Sequence, residues 1–179
     1  LVQRRRIIFV GCEGKSEISF VAWLYDVSNL FEGSVTFQKT QCETGNGFVV
    51  VESAVSKLKE CRRKGLREYD RFVLVDNDNW RGSKRAALRL ARDENLKLII
   101  FENNFESFLG RLLSNNPQLG HANAVRELKK IWPNYSKPED RVALRNFQDQ
   151  LIEGLHSMAR TDPNLNLLLT HCNIIPKNV

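Results

Sequence analysis

Five carboxylates stand just beyond short apolar runs. Glu13 follows "RIIFV" at a distance of three residues, Asp76 and Asp78 follow "RFVLV", and Glu102 follows "LKLIIF" with Glu106 one turn on. The D-x-D spacing sets two side chains on the same side of an extended strand end. Reference pKa values near about 4 leave all of these groups ionised at neutral pH. Several such charges in one crevice repel each other unless a cation sits among them. A hard divalent cation, Mg²⁺ or Mn²⁺, takes a few carboxylate oxygens and leaves the rest of its shell for water or phosphate. Glu13, Asp76 and Asp78 are therefore the expected metal ligands. Each acid also has a plainer use, at a helix N-terminus or as a turn former.

The run "FVGCEGKSE" (9–17) invites a second chemistry, because Gly14-Lys15-Ser16 ends like a phosphate-binding loop. That motif needs its first glycine five residues before the second. Position 9 is Phe, inside the apolar run, and Gly11 is too close to Gly14 for the loop to wrap a phosphate. Glu13 would also set a negative charge against an anion. A haloacid-dehalogenase phosphatase wants Thr or Val after D-x-D-x, where this chain has Trp80. A receiver domain wants paired acids after the first strand and one after the third, the reverse of what is present.

These residues need a scaffold that gathers strand ends. "RIIFV" (6–10), "RFVLVD" (71–76) and "LKLIIF" (96–101) read as buried strands, and "SVTFQKT" (34–40) alternates apolar and polar positions as a half-buried strand would. Helical stripes follow each of them. Ile18, Val21, Leu24 and Tyr25 share one side of a helix that Ser16 is expected to cap. Val51, Val55, Leu58 and Cys61 mark the next helix. "SKRAALRLARDEN" is a helix by propensity, with Ser83 as its expected cap, and Asn103 or Asn104 is expected to cap "FESFLGRLL". Strand and helix alternate four times, which predicts an α/β domain over residues 1–115 with a largely parallel sheet of about four strands flanked by helices. Open parallel sheets bind ligands at the carboxyl ends of their strands, where the acids lie. Residues 116–179 read as a helical C-terminal extension packed on that domain. "HANAVRELKKIW" predicts a short helix, and Pro138 is expected to open a longer one to about residue 160, with Leu144, Phe147, Leu151, Leu155 and Met158 as its stripe. "NLNLLLTHCNII" fits either a late edge strand or a docked tail.

The 179-residue chain carries a formal net charge of +6, which favours an anionic partner, nucleic acid first. Arg85, Arg89 and Arg92 share a helix face, with Arg81 and Lys84 near its start. Because this helix begins at the D-x-D turn, Arg81, Lys84 and Arg85, with Lys15 from the first turn, are expected phosphate contacts. Trp80 suits either stacking on a base or packing. Tyr135, in "PNYSKP", is expected in an exposed turn. Cys12, Cys42, Cys61 and Cys172 have neither C-x-x-C nor zinc-finger spacing with His121, His156 or His171, and read as reduced thiols of a cytoplasmic protein. No apolar run approaches the roughly 18–20 residues of a membrane span, and the apolar part of "LVQRRRIIFV" is too short for a secretory signal.

Gly11-Cys12-Glu13-Gly14 after a first strand, then Asp76-Asn77-Asp78 after a later one, resembles the Toprim domain, the Rossmann-like metal-binding module of primases, topoisomerases and a class of nucleases. Glu17, in "EGKSE", resembles the second acid of the nuclease branch, as in OLD-family nucleases. "VGCEGKSEISFVAWL", "LVDNDNW", "FENNFESFLGRLL" and "WPNYSKP" come in the order and spacing of the small RloB-like Toprim proteins of prokaryotic restriction and abortive-infection loci. The resemblance covers about residues 6–160. That family often has Ser-Asn-Pro-Cys-Phe-Glu where this chain has "FENNFE", and one more residue before the second Glu. The resemblance implies a Mg²⁺-dependent nuclease acting on DNA or RNA, with Glu13, Glu17, Asp76 and Asp78 catalytic. It also implies a role in anti-phage defence and an ATPase partner protein. The alternative is a catalytically silent Toprim-like module that binds nucleic acid or a partner.

Overall fold

In the computed structural model, which describes residues 5–77, 80, 82–135 and 141–174, the four apolar runs are four strands. They are β1 (Arg6–Cys12), β2 (Val35–Gln41), β3 (Asp70–Asp76) and β4 (Lys97–Phe101), all parallel, in the order β2-β1-β3-β4. Helices α1 (Lys15–Leu30), α2 (Gly47–Arg63), α3 (Lys84–Asp93) and α4 (Phe105–Leu113) alternate with them. The expected α/β architecture, a four-stranded parallel sheet flanked by helices, is the observed one.

Successive strand residues point to opposite faces. Ile8, Val10, Phe72, Leu74 and Phe101 pack against Phe20 and Trp23 of α1 and Phe108 of α4. Phe9, Val73, Val75 and Leu98 pack against Val51 and Leu58 of α2 and Ala87 and Ala91 of α3. Burial on both faces is why the inner strands are continuous apolar runs. One consequence reaches the site. Asp76 continues the parity of Phe72 and Leu74, so it belongs to the α1–α4 face, whereas α3 lies on the other.

Helix starts follow local hydrogen bonding. Asn46 caps α2, its side chain accepting from the N–H groups of Phe48 (3.0 Å) and Val49 (3.2 Å). Asn104 caps α4 by accepting from Ser107 N–H at 2.9 Å. Ser16 is not a cap: β1 runs on to Cys12, the turn is only Glu13-Gly14, and α1 starts at Lys15 with Gly14 as its N-cap residue. Ser83 holds the cap position of α3 but makes no capping bond, because its hydroxyl donates to the carbonyl of Trp80.

The C-terminal region is helical: α5 (His121–Ile131), α6 (Arg141–Arg145), α7 (Gln148–Ala159) and α8 (Pro163–His171). The single helix expected from Pro138, itself outside the described residues, is instead α6 and α7, broken at Asn146–Phe147. Phe147 leaves the stripe to lay its ring on Trp132, centroids 4.8 Å apart. Of the two expectations for "NLNLLLTHCNII", the edge strand is not formed: the segment docks on the domain, and it does so as a helix over Pro163–His171. Asp162 caps it, accepting from Asn164 N–H (2.9 Å) and Leu165 N–H (3.0 Å), and Pro163 suits the first turn. Leu165, Leu168, Leu169 and Cys172 then recur at helical spacing and are buried. Asn164 Nδ2 donates to Leu98 O at 2.8 Å, tying α8 to β4. The α1–α4 core continues without interruption into Leu128, Leu144, Leu151, Leu155 and Leu168.

All four cysteines are free thiols. Cys12 and Cys42 face opposite sides of the sheet. Burial pushes the Cys42 thiol up to about 11 and that of Cys172 to about 12. Among the described residues no helix is long and apolar enough to cross a membrane.

Candidate functional site

The strand order sets β1 beside β3, with Cys12 opposite Leu74. Their exits part there: α1 passes to one face and α3 to the other. Such a divergence opens a crevice at the carboxyl ends of the strands. Glu13 enters it from β1 and Asp76 from β3, and the Asp76 N–H donates to Glu13 Oε2 at 3.3 Å. A cavity of roughly 460 Å³ lies at this point, its walls including Glu13, Lys15, Glu17, Asp76, Glu106 and Tyr135. Ser16 of α1, Gln41 and Thr44 from the exit of β2, and Asn104 add neutral polar groups to the lining. Glu17 is only 5% exposed. Its carboxylate turns back over the start of α1, Oε2 standing 2.8 Å from where a Cβ on Gly14 would be. A helix N-terminus favours a carboxylate in that position. The described lining thus sets four carboxylates against one ammonium.

Of the residues expected from sequence, Glu13, Glu17, Asp76 and Lys15 share this cavity. Asp78 and Arg81 lie outside the described residues. Lys84 and Arg85 do not line the cavity. With Leu88, Arg89 and Arg92 they border a separate basic groove along α3, on the opposite face of the sheet. Glu106 is in the cavity, but Glu102 is not: its side chain is 71% exposed and reaches Arg111 Nη2 at 3.4 Å. Trp80 is buried, its ring against Gly47, where an added Cβ would come within 2.4 Å. Packing, not an open stacking surface, is its place.

Tyr135 is the main surprise. Expected in an exposed turn, it forms part of the cavity wall, and its hydroxyl oxygen is buried. The ring meets Trp132 edge-on (5.2 Å, 79°), and the backbone N–H donates to Trp132 O at 2.9 Å. Burial, then the negative charges of Glu106 and Glu17, hold the phenol above its ordinary range. The same carboxylate field reaches the thiols: burial first, then Glu17, raises Cys12.

Carboxylates with amide and hydroxyl oxygens beside them are the donor chemistry of a hard divalent cation. Among the described residues neither a thiol nor an imidazole lines the cavity, so the donor set is that of a hard cation rather than a soft one. Among the described residues, no three His, Cys, Asp or Glu side chains gather closely enough to hold a metal by themselves. Glu13 and Asp76 supply two of the expected ligands, and the third, Asp78, is outside the described residues. Compared with family models, with curated proteins and with solved structures, the chain gives no significant match.

Proposed function

We propose that this chain is a divalent-metal-dependent phosphodiesterase acting on nucleic acid, of the Toprim type and similar to the RloB-like proteins. The observation that carries the reading is that Glu13, Glu17 and Asp76, from two segments far apart in sequence, line one cavity at the strand exits. Glu13 and Asp76, with Asp78, would hold Mg²⁺ or Mn²⁺. When bound, such a cation polarises a phosphoryl oxygen and lowers the pKa of a coordinated water. Lys15, in the same wall, offers its ammonium to a phosphate oxygen of the substrate. Glu17, largely shielded from water, keeps a carboxylate at the start of α1 where it can accept a proton. The basic groove on α3, with Lys84 and Arg85, would bind the nucleic-acid backbone away from the scissile group, so a bound strand must pass from one face of the sheet to the other. By the same resemblance we infer a role as a cytoplasmic anti-phage defence effector working with an ATPase partner.

A second reading is a silent module that binds nucleic acid or a partner without cleaving. It is favoured by the lack of a three-ligand cluster among the described residues. One panel separates the two. Purified protein is incubated with Mg²⁺ or Mn²⁺ and with plasmid, single-stranded DNA or total tRNA, beside Glu13→Ala and Asp76→Ala. Cation-dependent cleavage lost in both variants supports the nuclease. Binding without cleavage, with the ATPase partner present and no change in either variant, supports the silent module.

A further inference from the structure

The Tyr135 hydroxyl is buried and has no hydrogen-bond partner among the described residues. Leaving such a group unpaired costs on the order of 1–3 kcal/mol, so its position calls for a partner that arrives later. Its ring packs edge-on against Trp132, which itself packs on Phe147, so aromatic contacts set the ring's direction. The charged groups it senses are Glu106 first and Glu17 second, both in the cavity wall. A bulky phosphate ester cannot reach an oxygen that a water molecule does not touch. Glu106, which lines the same cavity, is the carboxylate available to it.

We propose that Tyr135 is a positioning residue for Glu106: when a divalent cation enters the cavity, the phenol donates its hydrogen to one Glu106 oxygen and turns the other toward the cation. This rests on the metal-site reading above and extends it to two residues outside the Glu13 and Asp76–Asp78 motifs. It also makes Tyr135, which follows α5, a part of the site. Hydrogen bonds to ligating carboxylates from such outer partners are worth about 10–100-fold in metal affinity.

The test is Mg²⁺ and Mn²⁺ binding to the intact chain by calorimetry, without nucleic acid, for wild type, Tyr135→Phe, Glu106→Gln and the double variant. Thermal melting in EDTA runs alongside. Tyr135→Phe is expected to weaken cation binding about tenfold. It should melt no lower than wild type in EDTA, since it deletes an unpartnered buried hydroxyl. The double variant should bind no more weakly than Glu106→Gln alone, because both changes remove one interaction. Wild-type affinity in Tyr135→Phe, or losses that simply add in the double variant, overturns the proposal and leaves the metal site standing. A wild type that binds neither cation overturns both.

Discussion

Cation binding should be visible as stability. In the described wall of the cavity, Glu13, Glu17, Asp76 and Glu106 face Lys15, a formal excess of three negative charges in about 460 Å³. A ligand that binds only the folded state stabilises it by RT ln(1 + [L]/Kd), about 2.7 kcal/mol at a hundredfold excess over Kd. For a chain of this size each kcal/mol raises Tm by about 2–4 °C. Saturating Mg²⁺ should therefore raise the melting temperature by roughly 5–11 °C. The assay is a melting series from EDTA to millimolar Mg²⁺, with NaCl adjusted to constant ionic strength because salt alone screens the same repulsion. Glu13→Ala and Asp76→Ala, each lacking a proposed ligand, should lose most of the shift. A wild-type curve that follows the NaCl control would refute the reasoning. So would an equal shift in both variants, since the cation would then be binding elsewhere.

Two further outcomes test the scaffold. Gly47→Ala sets a methyl group within 2.4–2.7 Å of three atoms of the Trp80 six-membered ring and should destabilise the fold by about 1–3 kcal/mol. In a Trp80→Phe background most of that cost should vanish in urea titration, and strict additivity would argue against the contact. At the other end of β3, Asp70 accepts from Lys97 Nζ, from Arg71 N–H at 2.8 Å and, 3.1 Å away, meets His171 Nε2. Burial pushes its pKa up, but the hydrogen bonds from Lys97 and His171 outweigh this and hold it below the ordinary value. A depressed carboxyl pKa stabilises the fold above the unfolded pKa and loses that contribution as pH falls through the folded one. Asp70→Asn should therefore cost about 1–3 kcal/mol at pH 7, with the gap to wild type closing below about pH 4. Asp70 stands six residues before Asp76, about 20 Å along the strand, so cation binding should be unchanged.

The sheet is legible in the sequence because its inner strands are buried on two faces. Residues 7–10 ("IIFV") and 72–75 ("FVLV") have no polar position to confuse the reading, and the acids that follow them mark the strand exits. α8 is harder to read, since "LNLLL" satisfies a strand and a helix equally until Asp162 and Pro163 are given their weight as helix starters. The break at Phe147 is decided by a tertiary contact, the Trp132 ring, that no spacing announces. Within the site, Glu13, Glu17 and Asp76 declare themselves by charge beside apolar runs. Gln41, at the end of β2, and Thr44 and Tyr135, in connections, do not, because neutral side chains there carry no charge or period to mark them.

The placement of the basic helix shows what kind of information is missing. Right-handed crossovers fix the face on which a connecting helix lies once the direction of the strand-to-strand step is known. From β1 the chain steps to β2 on one side, and from β3 it steps to β4 on the other. Equal handedness with opposite steps sends α1 and α3 to opposite faces. Arg85 can thus follow the D-x-D segment closely in sequence and still belong to a different surface from Asp76. The order β2-β1-β3-β4 is set by how the strands pair, and no single strand encodes it. That same order, by setting β1 beside β3, brings Glu13 to Asp76. One pairing choice both assembles the acidic cavity and separates it from the basic groove, so a substrate that uses both must be long enough to cross the carboxyl edge of the sheet.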